Sequence, residues 1–155
     1  MTTLPDLPKA EIAIVQMTNA FRREQKLGAL STNKQLTAAA RAYAAYLART
    51  GNLSHSADGR SMDDRVRAQG YRFCWLAENL SFRRDSKGFA TGALADTVVT
   101  GWKNSSGHRA NMVSPNVTEI GVGVARAPGA SPTFYSVQLM GRPPGGKCRE
   151  VPKGR

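Results

Sequence analysis

The stretch Glu119-Ile-Gly-Val-Gly-Val124 decides how this chain is read. Before it, apolar residues recur at helical spacing; from it onward they alternate. Ile120, Val122 and Val124 are separated by Gly121 and Gly123, and Tyr135, Val137 and Leu139 repeat the pattern around Ser136 and Gln138. A period of two belongs to strands with one buried face. Between the two runs lies Arg126-Ala-Pro-Gly-Ala-Ser-Pro132, rich in turn residues, so the pair is expected to form a hairpin with a long loop.

Upstream, residues 9 to 27 read as a first helix, with Ile12, Val15 and the Asn19/Arg22 pair at helical spacing and Gly28 placed to stop it. Leu36, Ala40, Tyr43, Ala44 and Leu47 define a second helix, with Thr32 and Gln35 as a capping box and an end near Gly51. Ser61-Met-Asp-Asp64 caps a short third helix with Met62 and Val66 on its apolar side, terminated by Gly70. Residues 92 to 104 form a fourth, burying Ala95, Val98, Val99 and Trp102, after which Ser105 or Ser106 caps a short helix through Met112. Helices first and strands last define an α+β domain whose helices need a sheet to pack on.

At 155 residues the chain is the size of one domain. Its 41% hydrophobic and 21% charged residues fit a globular protein rather than a disordered one. There is no transmembrane segment, because no run of about eighteen apolar residues occurs. Pro- and Gly-rich segments fall only near the ends, which sets a domain at 9–141 between an N-terminal tail, 1–8, and a basic C-terminal tail, 142–155. Residues 1–8 lack the charged start and apolar stretch of a signal peptide, leaving a cytoplasmic protein or one whose export signal is absent from this sequence. A net charge of +11 and a pI near 10.4 point to anionic partners: nucleic acid, lipid headgroups, envelope polymers or acidic polysaccharide. The basic residues are scattered and no helix carries a basic stripe interleaved with aromatics, which disfavours specific nucleic-acid recognition.

Cys74 and Cys148 form no CxxC pair, which argues against a structural zinc site or a thioredoxin-type centre. A disulfide is the alternative; closing a loop of about 75 residues would stabilise the fold by roughly 4 kcal/mol and would need an oxidising compartment. Neither HExxH nor GxSxG occurs, so zincin and nucleophile-elbow chemistry have no support. That leaves the only two histidines, His55 and His108, with Glu78 and Glu119, which lie in or beside apolar runs. A buried unpaired carboxylate is costly, so each glutamate faces water or has a partner.

Eight motifs occur in order: Asn19-Ala-Phe-Arg22, Leu36 to Leu47, Ser54-His55-Ser56, Gly70-Tyr71, Ala77-Glu-Asn-Leu80, Trp102 to Met112, Glu119-Ile-Gly-Val-Gly123 and Tyr135-Ser-Val-Gln138. Together they resemble the CAP superfamily of cysteine-rich secretory, antigen 5 and pathogenesis-related 1 proteins, also called the SCP domain, and most closely its bacterial branch. The resemblance implies a three-layer α-β-α sandwich with a central antiparallel sheet. It also implies a surface cleft in which two histidines and two acidic residues meet, and where the histidines can bind zinc or another divalent metal ion; a metal-free cleft, in which each glutamate accepts a hydrogen bond from an imidazole, is the equal alternative. Carried over by motif, these are His55, Glu78 and His108, with Glu119 as the fourth; Gly107 is expected to let the chain turn so that His108 faces His55. In eukaryotic relatives the second acid lies on the tryptophan-bearing helix, where this chain has Ser105.

Three functions follow from the resemblance and the charge. The first is a secreted or periplasmic binding protein whose cleft holds a divalent ion and a small or lipid-like ligand while the basic surface contacts an anionic envelope. The second is a hydrolase in which a glutamate or metal-bound hydroxide acts as base at the same cleft. The third is a protein or polysaccharide interaction module at the envelope that uses the arginine-rich surface, with a vestigial cleft.

Overall fold

A computed structural model describes residues 2–154. The elements are α1 (Leu7–Glu24), β1 (Ser31–Thr32), α2 (Lys34–Thr50), α3 (Met62–Ala68), β2 (Trp75–Arg84), α4 (Thr91–Lys103), α5 (Ser106–Met112), β3 (Glu119–Arg126) and β4 (Thr133–Arg142). The strands form one sheet in the order β1-β3-β4-β2. β4 pairs antiparallel with both β3 and β2, and the two-residue β1 joins β3 in parallel.

Each face of the sheet is covered by its own apolar cluster, which makes the three layers. On one side Ile14 and Phe21 of α1 and Leu94, Val98 and Trp102 of α4 pack with Ile120, Val122 and Val124 of β3. On the other, Leu36, Ala40, Tyr43 and Leu47 of α2 pack with Tyr135, Val137 and Leu139 of β4. The glycines of the opening stretch explain how closely α2 sits. A Cβ on Gly121 would run into backbone atoms of Leu36 and Thr37, and one on Gly123 would run into the backbone of Ala40 and Arg41. The alternation that marks β3 as a strand is therefore also the track on which α2 lies.

Local chemistry sets the ends. Asp6 caps α1 by accepting from the Lys9 amide at 3.0 Å, so the helix begins at Leu7, two residues ahead of the expected start. That helix ends at Glu24 rather than at Gly28, because Lys26 takes a positive φ of 62° and reverses the chain first. Asn33, rather than Thr32, caps α2, accepting from the Leu36 amide at 2.9 Å; Gly51 closes it in the left-handed conformation at φ 68°. Ser61 caps α3 as its motif predicts.

Cys74 and Cys148 are joined, closing a loop across 74 positions. Beyond β4, the Val151 amide donates to the Phe73 carbonyl, and Arg67 holds the carbonyls of Val151 and Pro152, so the C-terminal segment is tied back beside the start of β2.

β2 is the element the periodicity does not reveal. Its central residues, Ala77 to Ser81, are buried on both faces. Polar Glu78 and Asn79 interrupt the alternation, and both are buried because tertiary partners satisfy them.

Candidate functional site

Glu78 sits in the middle of β2, an outer strand of the sheet, and its side chain has no exposed surface. A lone carboxylate there would be prohibitive, and α3 supplies the counterion. Arg65, itself 3% exposed, brings Nη2 to 3.1 and 2.9 Å from the two carboxylate oxygens. The same guanidinium donates from Nη1 to Asp58 at 3.1 Å and from Nη2 to the His55 carbonyl at 3.0 Å, and it lies over the Tyr43 ring, 3.5 Å from the centroid. Tyr43 ties the same loop, its hydroxyl donating to the Ser54 carbonyl and accepting from the Ala57 amide. The loop after α2 is thus fastened on both sides of His55. His55 then donates from Nδ1 to Glu78 Oε1 at 2.8 Å, because a carboxylate can only accept. The imidazole is 61% exposed, so the buried carboxylate presents one oriented ring to solvent.

The next residue, Asn79, serves the opposite face. It is fully buried, and its Nδ2 donates to the His108 carbonyl at 3.0 Å and to Gln138 Oε1 at 2.9 Å. Gln138 continues to the Thr18 hydroxyl at 2.9 Å, and Thr18 to the Ile14 carbonyl at 2.7 Å. Asn111 closes the set by donating to Asn79 Oδ1 at 2.9 Å. A chain of buried amides and one hydroxyl therefore links α1, β4, β2 and α5, and fixes where α5 holds His108. Arg22 secures the far end of that helix by donating to the carbonyls of Met112 and Ser114 at 2.9 and 2.8 Å. Asn19 clamps both backbone groups of Leu30, so the Asn19/Arg22 pair is structural.

Ser105 occupies the N-cap position of α5 but makes no cap hydrogen bond; its hydroxyl bonds His108 Nδ1 at 2.8 Å instead. Gly107 has an ordinary negative φ within the helix and open space around it, so the expected glycine turn is absent. α5 as a whole, placed by Asn79 and Arg22, aims the ring.

The two histidines titrate in opposite directions. The hydrogen bond to Glu78 holds the pKa of His55 above its ordinary value, against burial and the Arg65 charge. Burial, with the nearby positive charge of His55, holds His108 below it. Near neutral pH His55 therefore carries more of the charge.

Of the four residues singled out in the sequence, Glu78 and His55 are bonded to each other, and His108 is held by Ser105 and by Asn79, the residue next to Glu78. Glu119 is engaged apart from them, accepting from the Tyr71 hydroxyl at 2.8 Å and from Asn33 Nδ2 at 3.4 Å. Burial and that hydrogen bond push the Tyr71 phenol upward, so it remains a donor. With both Nδ1 atoms occupied, the Nε2 atoms of His55 and His108 are the nitrogens left for a divalent ion. Glu78 is saturated by Arg65 and His55 and fits as the outer carboxylate that orients a ligand rather than as a ligand. Among the described residues no group of three or more His, Cys, Asp or Glu is gathered to hold a metal. A zinc ion on the two imidazoles would accordingly keep its other positions for water or ligand.

Beside His55 lies a cleft of about 570 Å³, lined among others by Ser61, Asp63, Trp75, Glu78 and Asn111. Sequence reasoning overlooked Arg65, Asn79 and Trp75. Arg65 looks like any surface arginine until α3 turns it inward, and only the motif Ala77-Glu-Asn-Leu80 hinted at Asn79.

The family model described as CAP, cysteine-rich secretory protein family, matches residues 15–140. The Bacillus subtilis protein YkwD is 32% identical over 133 residues, covering 85% of this chain and 47% of that protein, so the chain spans about half the length of this curated relative. Among solved structures, an extracellular SCP-domain protein of Bacillus anthracis superposes with a TM-score of 0.72 at 25% identity, covering 88% of this chain and 41% of that one. An outer surface protein of Borrelia burgdorferi gives 0.73 at 18% identity over 87% and 93% of the two chains, a likeness of fold alone.

Proposed function

Because this chain belongs to the CAP, or cysteine-rich secretory protein, family, we propose that it acts outside the cytoplasm as a binding protein. On this reading His55 and His108 hold a divalent metal ion at the cleft, and the ion takes part in recognising a small ligand. The supporting observation is the buried carboxylate of Glu78, shared between Arg65 at 2.9 Å and His55 at 2.8 Å. A buried ion pair adds little stability over apolar residues of the same volume. Its placement next to an exposed imidazole is accounted for by what it does to that ring: it fixes the tautomer and leaves Nε2 directed outward. A bound divalent ion would supply Lewis acidity toward an oxygen or nitrogen of the ligand.

The disulfide supports an oxidising compartment, as does the extracellular description of the Bacillus anthracis relative. The net charge of +11 would favour residence at an anionic envelope.

Isothermal titration with Zn²⁺ tests the metal. Saturable 1:1 heat is expected from the wild type, with at least tenfold weaker binding in both His55→Ala and His108→Ala. Equal heats from all three proteins would remove the ion from the account.

A further inference from the structure

Trp75 is used by neither the core nor the histidine pair. It opens β2 and is 45% exposed, whereas the other tryptophan, Trp102, is 2% exposed and donates its indole N–H to the Leu80 carbonyl at 2.8 Å. Trp75 is nevertheless firmly placed: its backbone pairs with Arg142 of β4, and it directly follows Cys74 of the disulfide. It forms one wall of the cleft beside His55, with Ser56, Ser61 and Asp63 at the same opening. A large apolar ring left wet on a rigid strand, next to hydroxyls and a carboxylate, is the arrangement of a binding surface.

We propose that this cleft binds a neutral hexopyranose unit of a glycan chain, with Trp75 as the stacking platform. A pyranose has one face of C–H groups and a rim of equatorial hydroxyls. The C–H face matches the indole, and the rim matches Ser56, Ser61 and the Asp63 carboxylate, which accepts from sugar hydroxyls. Glu78 is buried and offset by Arg65, and among the described residues no lysine or arginine lines the cleft, so Asp63 is balanced only by His55 and an uncharged sugar is favoured over an anionic one. Met62, Leu76 and Ala77 extend the apolar wall beside Trp75, but a fatty chain would leave Ser56, Ser61 and Asp63 at the same opening without hydrogen-bond partners, whereas a pyranose rim satisfies them. The inference rests on the reading of the cleft as a ligand site, and the metal is a separate component of that reading.

Having one buried and one exposed tryptophan makes the test direct. Intrinsic fluorescence of the full chain is followed during titration with soluble N-acetylglucosamine tetramer and with cellotetraose, in 1 mM EDTA and in 50 mM and 500 mM NaCl. A saturable change is expected with at least one of the two, unaltered by chelator and by salt within about twofold. By calorimetry Trp75→Ala should weaken binding at least tenfold and Trp75→Phe less, while Asp63→Asn weakens it several-fold; circular dichroism checks that each variant is folded. No saturable binding of either oligosaccharide up to 10 mM overturns the proposal, as does binding that Trp75→Ala leaves unchanged. Zinc binding without sugar binding refutes this inference alone, and sugar binding without zinc binding refutes only the metal.

Discussion

Glu78 and Asn79 are consecutive residues of β2 whose side chains point to opposite faces of the sheet, and each governs one of the two histidines. The period-two geometry of a strand makes this division unavoidable. Glu78 faces the layer of α2 and α3, meets Arg65 and orients His55; Asn79 faces the layer of α1, α4 and α5 and ties down the backbone of His108. β2 ends the strand order, so both residues lie on the outer strand of the sheet.

Removing Arg65 should be costly. Arg65→Met leaves the Glu78 carboxylate buried without its counterion, and chemical denaturation should show a loss of about 3–5 kcal/mol. The double variant Arg65→Met/Glu78→Leu should recover most of this, because an apolar pair of similar volume replaces the ions. A single variant as stable as wild type would mean that the pair is not buried as described.

Imidazole titration by NMR should separate the histidines. His55 is expected above about 6.5 and His108 below it, and Glu78→Gln should move His55 downward. The signs for stability follow. The contribution of His55 is complete below about pH 6.5 and fades as pH rises through its raised folded value, whereas that of His108 is present above about pH 6.5 and fades as pH falls through its lowered one. Zinc must displace the proton on His55 Nε2, so affinity should fall as the solution is acidified. Coincident titrations would contradict the asymmetry.

Two glycines should respond oppositely to alanine. Gly121→Ala drives a methyl into the backbone of α2 and should cost about 3 kcal/mol, or prevent folding. Gly107→Ala enters open space in a helix and should gain about 0.5–1 kcal/mol with zinc affinity unchanged. Thermal and urea melts distinguish these outcomes; equal effects would show that α2 does not rest on β3.

These contrasts mark how far the sequence could be read. Ile120, Val122 and Val124 expose the strand because one face is uniformly apolar, and Ser61 announces α3 because a cap is a local interaction. β2 stays hidden because Glu78 and Asn79 are buried through partners 13 and 59 positions away, which no local pattern records. The ordered motifs single out His55, Glu78 and His108, and the structure joins the first two by a hydrogen bond. Glu119 shares those motifs, yet its carboxylate is held by Tyr71 and Asn33.

The disulfide closes a loop across 74 positions, so its reduction should lower stability by about 4 kcal/mol. The variant Cys74→Ser/Cys148→Ser, melted beside the oxidised wild type, measures this. Identical midpoints would mean that the bond adds nothing to the fold.

The most direct measurement is an anomalous difference map at the zinc edge from crystals soaked in Zn²⁺. A single site bonded to Nε2 of both His55 and His108, with Glu78 still on Arg65 and His55 Nδ1, is the predicted result. Zinc on one imidazole alone, or zinc held directly by Glu78 or Glu119, would contradict the account.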